Sequence, residues 1–171
     1  MAIGSPSDAL PYVNAIRLLL GGYGAYSREK RRETDVAVRE EVGRAATRVR
    51  NHLNNVHDSA YRDDDANLVA ACARAIEEVD SLRNDVDKAA TGGEHPFFSV
   101  QRSASKKIIN KLIKHDHDTL QMVTKAVNSS NEMEKSHADD SECLEEVLRC
   151  QQLVSSCRGH FSERSKVLRK I

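Results

Sequence analysis

The chain has 171 residues, enough for one hydrophobic core and too few for two comfortable domains. Its 26 Lys and Arg balance 26 Asp and Glu, and this zero net charge argues against a dedicated nucleic-acid binder, whose affinity rests on excess cations. With 39% apolar residues, 4% aromatic and no Trp, the core has to be built from Val, Leu, Ile, Ala and Cys.

Residues 1–6 read as a disordered start. Ser7 or Asp8 can cap a short first helix, and Pro11 fits its opening turn, where backbone N–H groups lack partners anyway. Tyr12, Ile16, Leu19 and Tyr23 form its stripe, widened by Leu10, Val13 and Leu20. Gly21, Gly22 and Gly24 then predict a break before Ser27.

A second helix is predicted over about Ser27 to His57. Its first half, to Glu41, is so charged that it is expected to stand partly clear of the core. Its second half carries the seam Val42, Ala46, Val49, Leu53, Val56, Ala60. Asp63 or Asp64 is placed to cap a third helix, about Asp65 to Ala90, whose seam is Leu68, Cys72, Ala75, Val79, Leu82, Val86, Ala89. Gly92, Gly93 and Pro96 end it, and Phe97 with Phe98 is expected to plug one end of a bundle.

The fourth helix, about Ser99 to Asn128, is the most apolar, with Ile108, Ile109, Leu112, Ile113, Leu120, Met122, Val123 and Val127 covering more than one seam. Residues 129–139 read as a polar linker into which the fourth helix can run, and Asp139 with Glu142 resembles a capping box. The last helix has the cleanest rhythm: Cys143, Val147, Cys150, Val154, Cys157, Phe161, Arg164, Leu168 and Ile171 alternate spacings of four and three. Only Arg164 is out of character.

The fold expected is therefore all-α: an elongated up-and-down bundle of four long antiparallel helices plus a shorter N-terminal helix, one domain over residues 1–171. Long heptad helices of this kind resemble spectrin-type bundles in architecture, with no specific motif shared. The four cysteines fall on apolar stripes and none forms a Cys-x-x-Cys pair, so they read as buried thiols of a reducing compartment. The first apolar run, Ala9 to Tyr26, contains Asn14, Arg17 and three glycines, which disfavours a membrane span. No basic segment precedes that run as in a secretory signal, and an intracellular, cytoplasmic protein is expected.

Three polar features carry what chemistry the sequence offers. Extending the fourth helix's seam through its gap lands on Asp116, with His115 on the flanking line. A carboxylate in an apolar stripe demands a partner, and a metal or cofactor held by His115 and Asp116 is one reading, to which His52, His57, Cys157 and His160 could add ligands. Glu-x-x-His, the spacing of di-iron bundles, does not occur, and no cofactor is assigned. Lys107, Lys111 and Lys114 share a face of the fourth helix, and Arg44 and Arg48 ride on the second; interleaved glutamates make the latter a solvated helix. These faces would serve nucleic acid or an anionic membrane. No hydrolase, phosphate-loop or dinucleotide motif is present, so no enzyme is expected. The reading that best fits is a protein-protein interaction or scaffold module. It would offer Val154, Cys157, Phe161, Leu168 and Ile171 to a partner helix or to a second copy of the chain.

Overall fold

The computed structural model describes residues 24, 26–27, 29–91, 96–98, 104–136 and 142–169. Among them there is no strand. Four long helices carry the fold: α1 (Arg31–Arg62), α2 (Ala66–Thr91), α3 (Lys106–Ser136) and α4 (Cys143–Leu168), with a 3-10 turn at Pro96–Phe98. The first short helix expected from the sequence, and Ile171, lie outside the described residues. No described helix is long and apolar enough to cross a membrane.

Local chemistry explains where the helices start and stop. The α1–α2 corner is closed by backbone bonds from Asp65 N to Ala60 O and from Asp64 N to Tyr61 O, the two bonds of a Schellman ending. That ending needs a left-handed residue, and Asp64 supplies it with φ 57°. The cap of α2 is Asp65, not Asp63 or Asp64: its carboxylate accepts from Leu68 N at 3.0 Å. The helix α3 starts later than expected, capped by Ser105, whose Oγ accepts from Ile108 N. It also runs further, through Ser136, so most of the expected 129–139 linker is helical. Met133 explains the extension, because it is buried six residues beyond Val127 and prolongs the seam of Val123 and Val127. Glu142 immediately precedes α4 and makes no side-chain cap bond; Asp139, its partner in the expected capping box, lies outside the described residues.

The predicted seams of the four long helices turn inward over their described residues, except that Ala89 at the end of α2 is exposed. Val42, Val49, Leu53 and Val56 of α1 meet Leu68, Cys72, Val79 and Leu82 of α2, Ile109, Leu112, Leu120 and Val123 of α3, and the Cys143–Phe161 row of α4 in one core. Burying these side chains is what the helices are for, since each contributes on the order of 1.5–3 kcal/mol when withdrawn from water. Extensive contacts join α1 to α2, α3 to α4, α2 to α4 and α1 to α3, whereas α1 and α4, like α2 and α3, touch much less. The last two pairs are therefore opposite corners. Of the residues between α2 and α3, Phe97 and Phe98 are buried, Phe97 with its ring centroid 6.0 Å from that of Tyr26, next to the start of α1.

The first half of α1 does not stand clear of the core. Arg31, Thr34, Asp35, Val38 and Glu41 are all buried. Arg31 is held by donating to the carbonyls of Tyr26 and Phe97 and by lying 4.6 Å over the Phe97 ring.

Candidate functional site

The two residues that break the apolar seams, Asp116 and Arg164, are each other's partner. Arg164 Nε donates to Asp116 Oδ1 at 2.7 Å and Nη2 to Oδ2 at 3.1 Å, a bidentate pair between α3 and α4. The same guanidinium reaches the opposite corner, where Nη1 donates to Asp35 Oδ1 of α1 at 2.5 Å. Its Nη2 also donates to the Tyr26 hydroxyl at 3.0 Å, and that hydroxyl in turn donates to Asp116 Oδ2. Arg39 completes the set, holding Asp35 Oδ2 at 2.9 Å. Arg164 thus lies on the bundle axis, near the end covered by Phe97, and ties three helices to the chain just before α1.

Burial sets the electrostatics. Withdrawal from water would raise the Asp116 carboxyl, but the positive charge of Arg164 and its hydrogen bonds more than offset this and hold the group below the ordinary carboxylate range. Burial would likewise lower Arg164, and the facing Asp116 and Asp35 outweigh it, so the guanidinium stays charged. Tyr26 is pushed well up, by burial first and then by the Asp116 charge, and remains a neutral donor. Asp116 is therefore an ionised, fully engaged carboxylate, and the cluster is a closed ion-pair network.

The histidines sit beside it. His115 and His160 stack with ring centroids 4.1 Å apart and planes 8° apart. Each places Nε2 on the other's backbone carbonyl, at 2.8 and 3.2 Å. The buried Nδ1 of His115 has no hydrogen-bond partner among the described residues; at 3.5 Å from Asp116 Oδ1 it makes an electrostatic contact only. Of the other ligands considered, His52 pairs with Glu134 and His57 with Asp58, and the Cys157 thiol points at Thr119 O. The structure thus gathers His115, Asp116 and His160 and leaves His52 and His57 elsewhere. Asp116 has both oxygens engaged by Arg164 and Tyr26, and no group of three or more His, Cys, Asp or Glu among the described residues is arranged to hold a metal ion.

Of the residues expected at a partner contact, Val154, Cys157 and Phe161 are buried in the chain's own core, with relative exposures of 2%, 0% and 4%. The reason is geometric: their seam faces α3 and α2, which cover it. Leu168 is half-buried. On the basic faces, Lys107, Lys111 and Lys114 are exposed. Arg44 is paired with Glu40 and Glu41, each at 3.0 Å, which neutralises that part of α1. Outward-facing apolar side chains do exist on α4, at Leu144 (39% exposed) and Leu148 (45%), one turn apart. Beside the ion-pair network lies a cleft of about 450 Å³ whose lining includes Asp35, Arg164, Phe98, Phe161 and Leu168.

Asp35 and Tyr26 were not singled out by their sequence context; Asp35 sits in a charged run and Tyr26 in a glycine-rich break. Comparisons with protein-family models, with curated proteins and with solved structures find no match.

Proposed function

We propose that the protein is a non-enzymatic helical interaction module that associates with a second copy of itself, through the outer side of α4 and not through its buried seam. The observation that carries this reading is the pair Leu144 and Leu148, both more than a third exposed at one-turn spacing on a helix whose other face is occupied. Neighbouring helices run antiparallel within each hairpin in this reading. That is supported by Arg50 pairing with Asp80 across α1 and α2, and by Cys150 and Cys157 meeting Ala126 and Thr119 in reverse order across α3 and α4.

The test is molar mass by light scattering over a concentration series, with and without reductant. A dimer is expected that reductant leaves unchanged and that Leu144→Glu with Leu148→Glu dissociates. A wild-type monomer throughout the series would overturn the homotypic contact. A second reading rests on the exposed Lys107, Lys111 and Lys114, spaced along one face of α3 for an anionic surface. It requires binding to vesicles or oligonucleotides that weakens steeply with salt and is lost when the three are replaced by Glu.

A further inference from the structure

The cleft beside Arg164 opens between the ends of α2 and α4, with exposed Lys88, Ala89 and Arg169 on its rim and buried Phe98 and Phe161 at its floor. Its volume, about 450 Å³, falls in the range of sites that enclose small molecules. The two rings and the half-buried Leu168 offer carbon, so the floor selects an apolar body. The acids of the walls are already matched. Asp85 is held by Arg158 at 2.7 Å, and Asp35 by Arg39 and Arg164. Arg164 is itself committed to Asp116 and Tyr26. The positive charge that remains is on the rim: Arg169 is exposed, and its side chain makes no ion pair among the described residues. Lys88 adds to the potential there from the α2 side.

We propose that the cleft binds a small amphipathic carboxylate, its alkyl chain laid on Phe98, Phe161 and Leu168 and its head group on Arg169. A cationic head would meet Arg169 and Lys88 and gain no acid that is not already paired. An anionic head breaks no existing pair and makes a charge-assisted bond to the guanidinium. It also stays at the rim, in contact with water, so the large cost of burying a charge does not arise. Affinity then comes from the chain: each methylene withdrawn from water strengthens binding about fourfold. This site is independent of the contact assigned to Leu144 and Leu148, which lie on α4 some twenty residues from Leu168, that is about 30 Å along the helix.

The experiment is titration calorimetry of the full-length chain with octanoate, decanoate and dodecanoate below their micellar concentrations, and with dodecyltrimethylammonium as the charge-reversed probe. Dodecanoate should occupy one site per chain with a dissociation constant on the order of 0.1 mM. Affinity should climb about fourfold per methylene along the series. Arg169→Glu is expected to weaken dodecanoate binding by about fivefold or more, as reversal of one exposed charge partner does. Ala89→Trp, or Ser165→Trp from the α4 side, replaces an exposed residue of the lining with a ring that fills the mouth, and either should weaken binding by about tenfold or more. Leu144→Glu with Leu148→Glu should leave binding unchanged, which separates this site from the outer side of α4. The proposal is overturned if dodecanoate shows no saturable binding up to about 1 mM, the weakest affinity its size predicts. It is equally overturned if the ammonium binds as well as the carboxylate, or if both tryptophan variants bind like wild type.

Discussion

A guanidinium on the axis of a bundle has no water to turn to, so removing any of its anchors strands a charge. Asp116→Asn is expected to cost about 3–5 kcal/mol in urea unfolding, the range for breaking one side of a buried ion pair. Replacing both members, Asp116→Leu with Arg164→Met, should recover most of that loss. A double variant as unstable as the single one would show that the pair itself supplies the stability. Protonation works on the same atoms. The Asp116 pKa is lower in the folded than in the unfolded chain, so its contribution is present above the unfolded value of 3.8 and is lost as pH falls through the folded one. Glu41 has the opposite sign: burial raises its pKa, and its Oε2 is buried with no partner among the described residues. Its penalty therefore grows as pH rises past the unfolded value of 4.5, and Glu41→Gln should gain on wild type across that rise in pH-dependent thermal melts. Half of this network was legible in the sequence. Asp116 in a seam gap and Arg164 on a seam both broke an apolar rhythm. Their pairing was not legible, because Arg164 meets residues 48 and 129 positions away, and only the packing of opposite corners brings those together.

Helix by helix, periodicity was the stronger guide and boundaries the weaker one. The rows of α1, α2 and α4 read from three-and-four spacing are buried almost residue for residue, because only that face of each rod can leave water. Exceptions fall where side-chain chemistry overrides pattern. Arg31, Asp35 and Glu41 looked like a solvated run, yet they are buried. Arg31 and Asp35 have carbonyl or charge partners from other parts of the chain, and Glu41 pairs with Arg44 on its own helix. Asp65 caps α2 where Asp63 or Asp64 had been favoured, and Ser105 caps α3 six residues beyond the start expected at Ser99. The α1–α2 corner offers a clean test of such local terms. Asp64 holds φ 57°, a conformation that costs an L-residue free energy and glycine almost none. Asp64→Gly is expected to raise stability by about 0.5–1 kcal/mol, and Asp65→Ala to lower it by about 1 kcal/mol through loss of the cap on Leu68 N. Thermal melts followed by circular dichroism would decide both, and a destabilising Asp64→Gly would show that the aspartate side chain contributes more than the backbone costs.

For the molecule as a unit, what matters is that one core is shared by four helices and by Phe97 and Phe98. No helix can leave without exposing the others, since each of α1 to α4 packs extensively on two neighbours. Opening should therefore be cooperative, and the four cysteines report on it without any added probe. Cys72 on α2 and Cys143, Cys150 and Cys157 on α4 are free and buried, and the Cys150 and Cys157 thiols point at carbonyls of α3 at 3.9 Å. A buried thiol with its pKa near 12 carries almost no thiolate at neutral pH, so labelling has to wait for an opening event. If the bundle opens as one unit, all four thiols should react with a disulfide reagent at a common rate. That rate should rise together with the fraction unfolded in urea and fall to the same extent at every site when Asp64→Gly stabilises the fold. Fraying of α4 alone would instead label Cys143, nearest the helix start, long before Cys157. In that outcome the terminal helix would be the part of the bundle that separates first, and the unity of the core would end at α3.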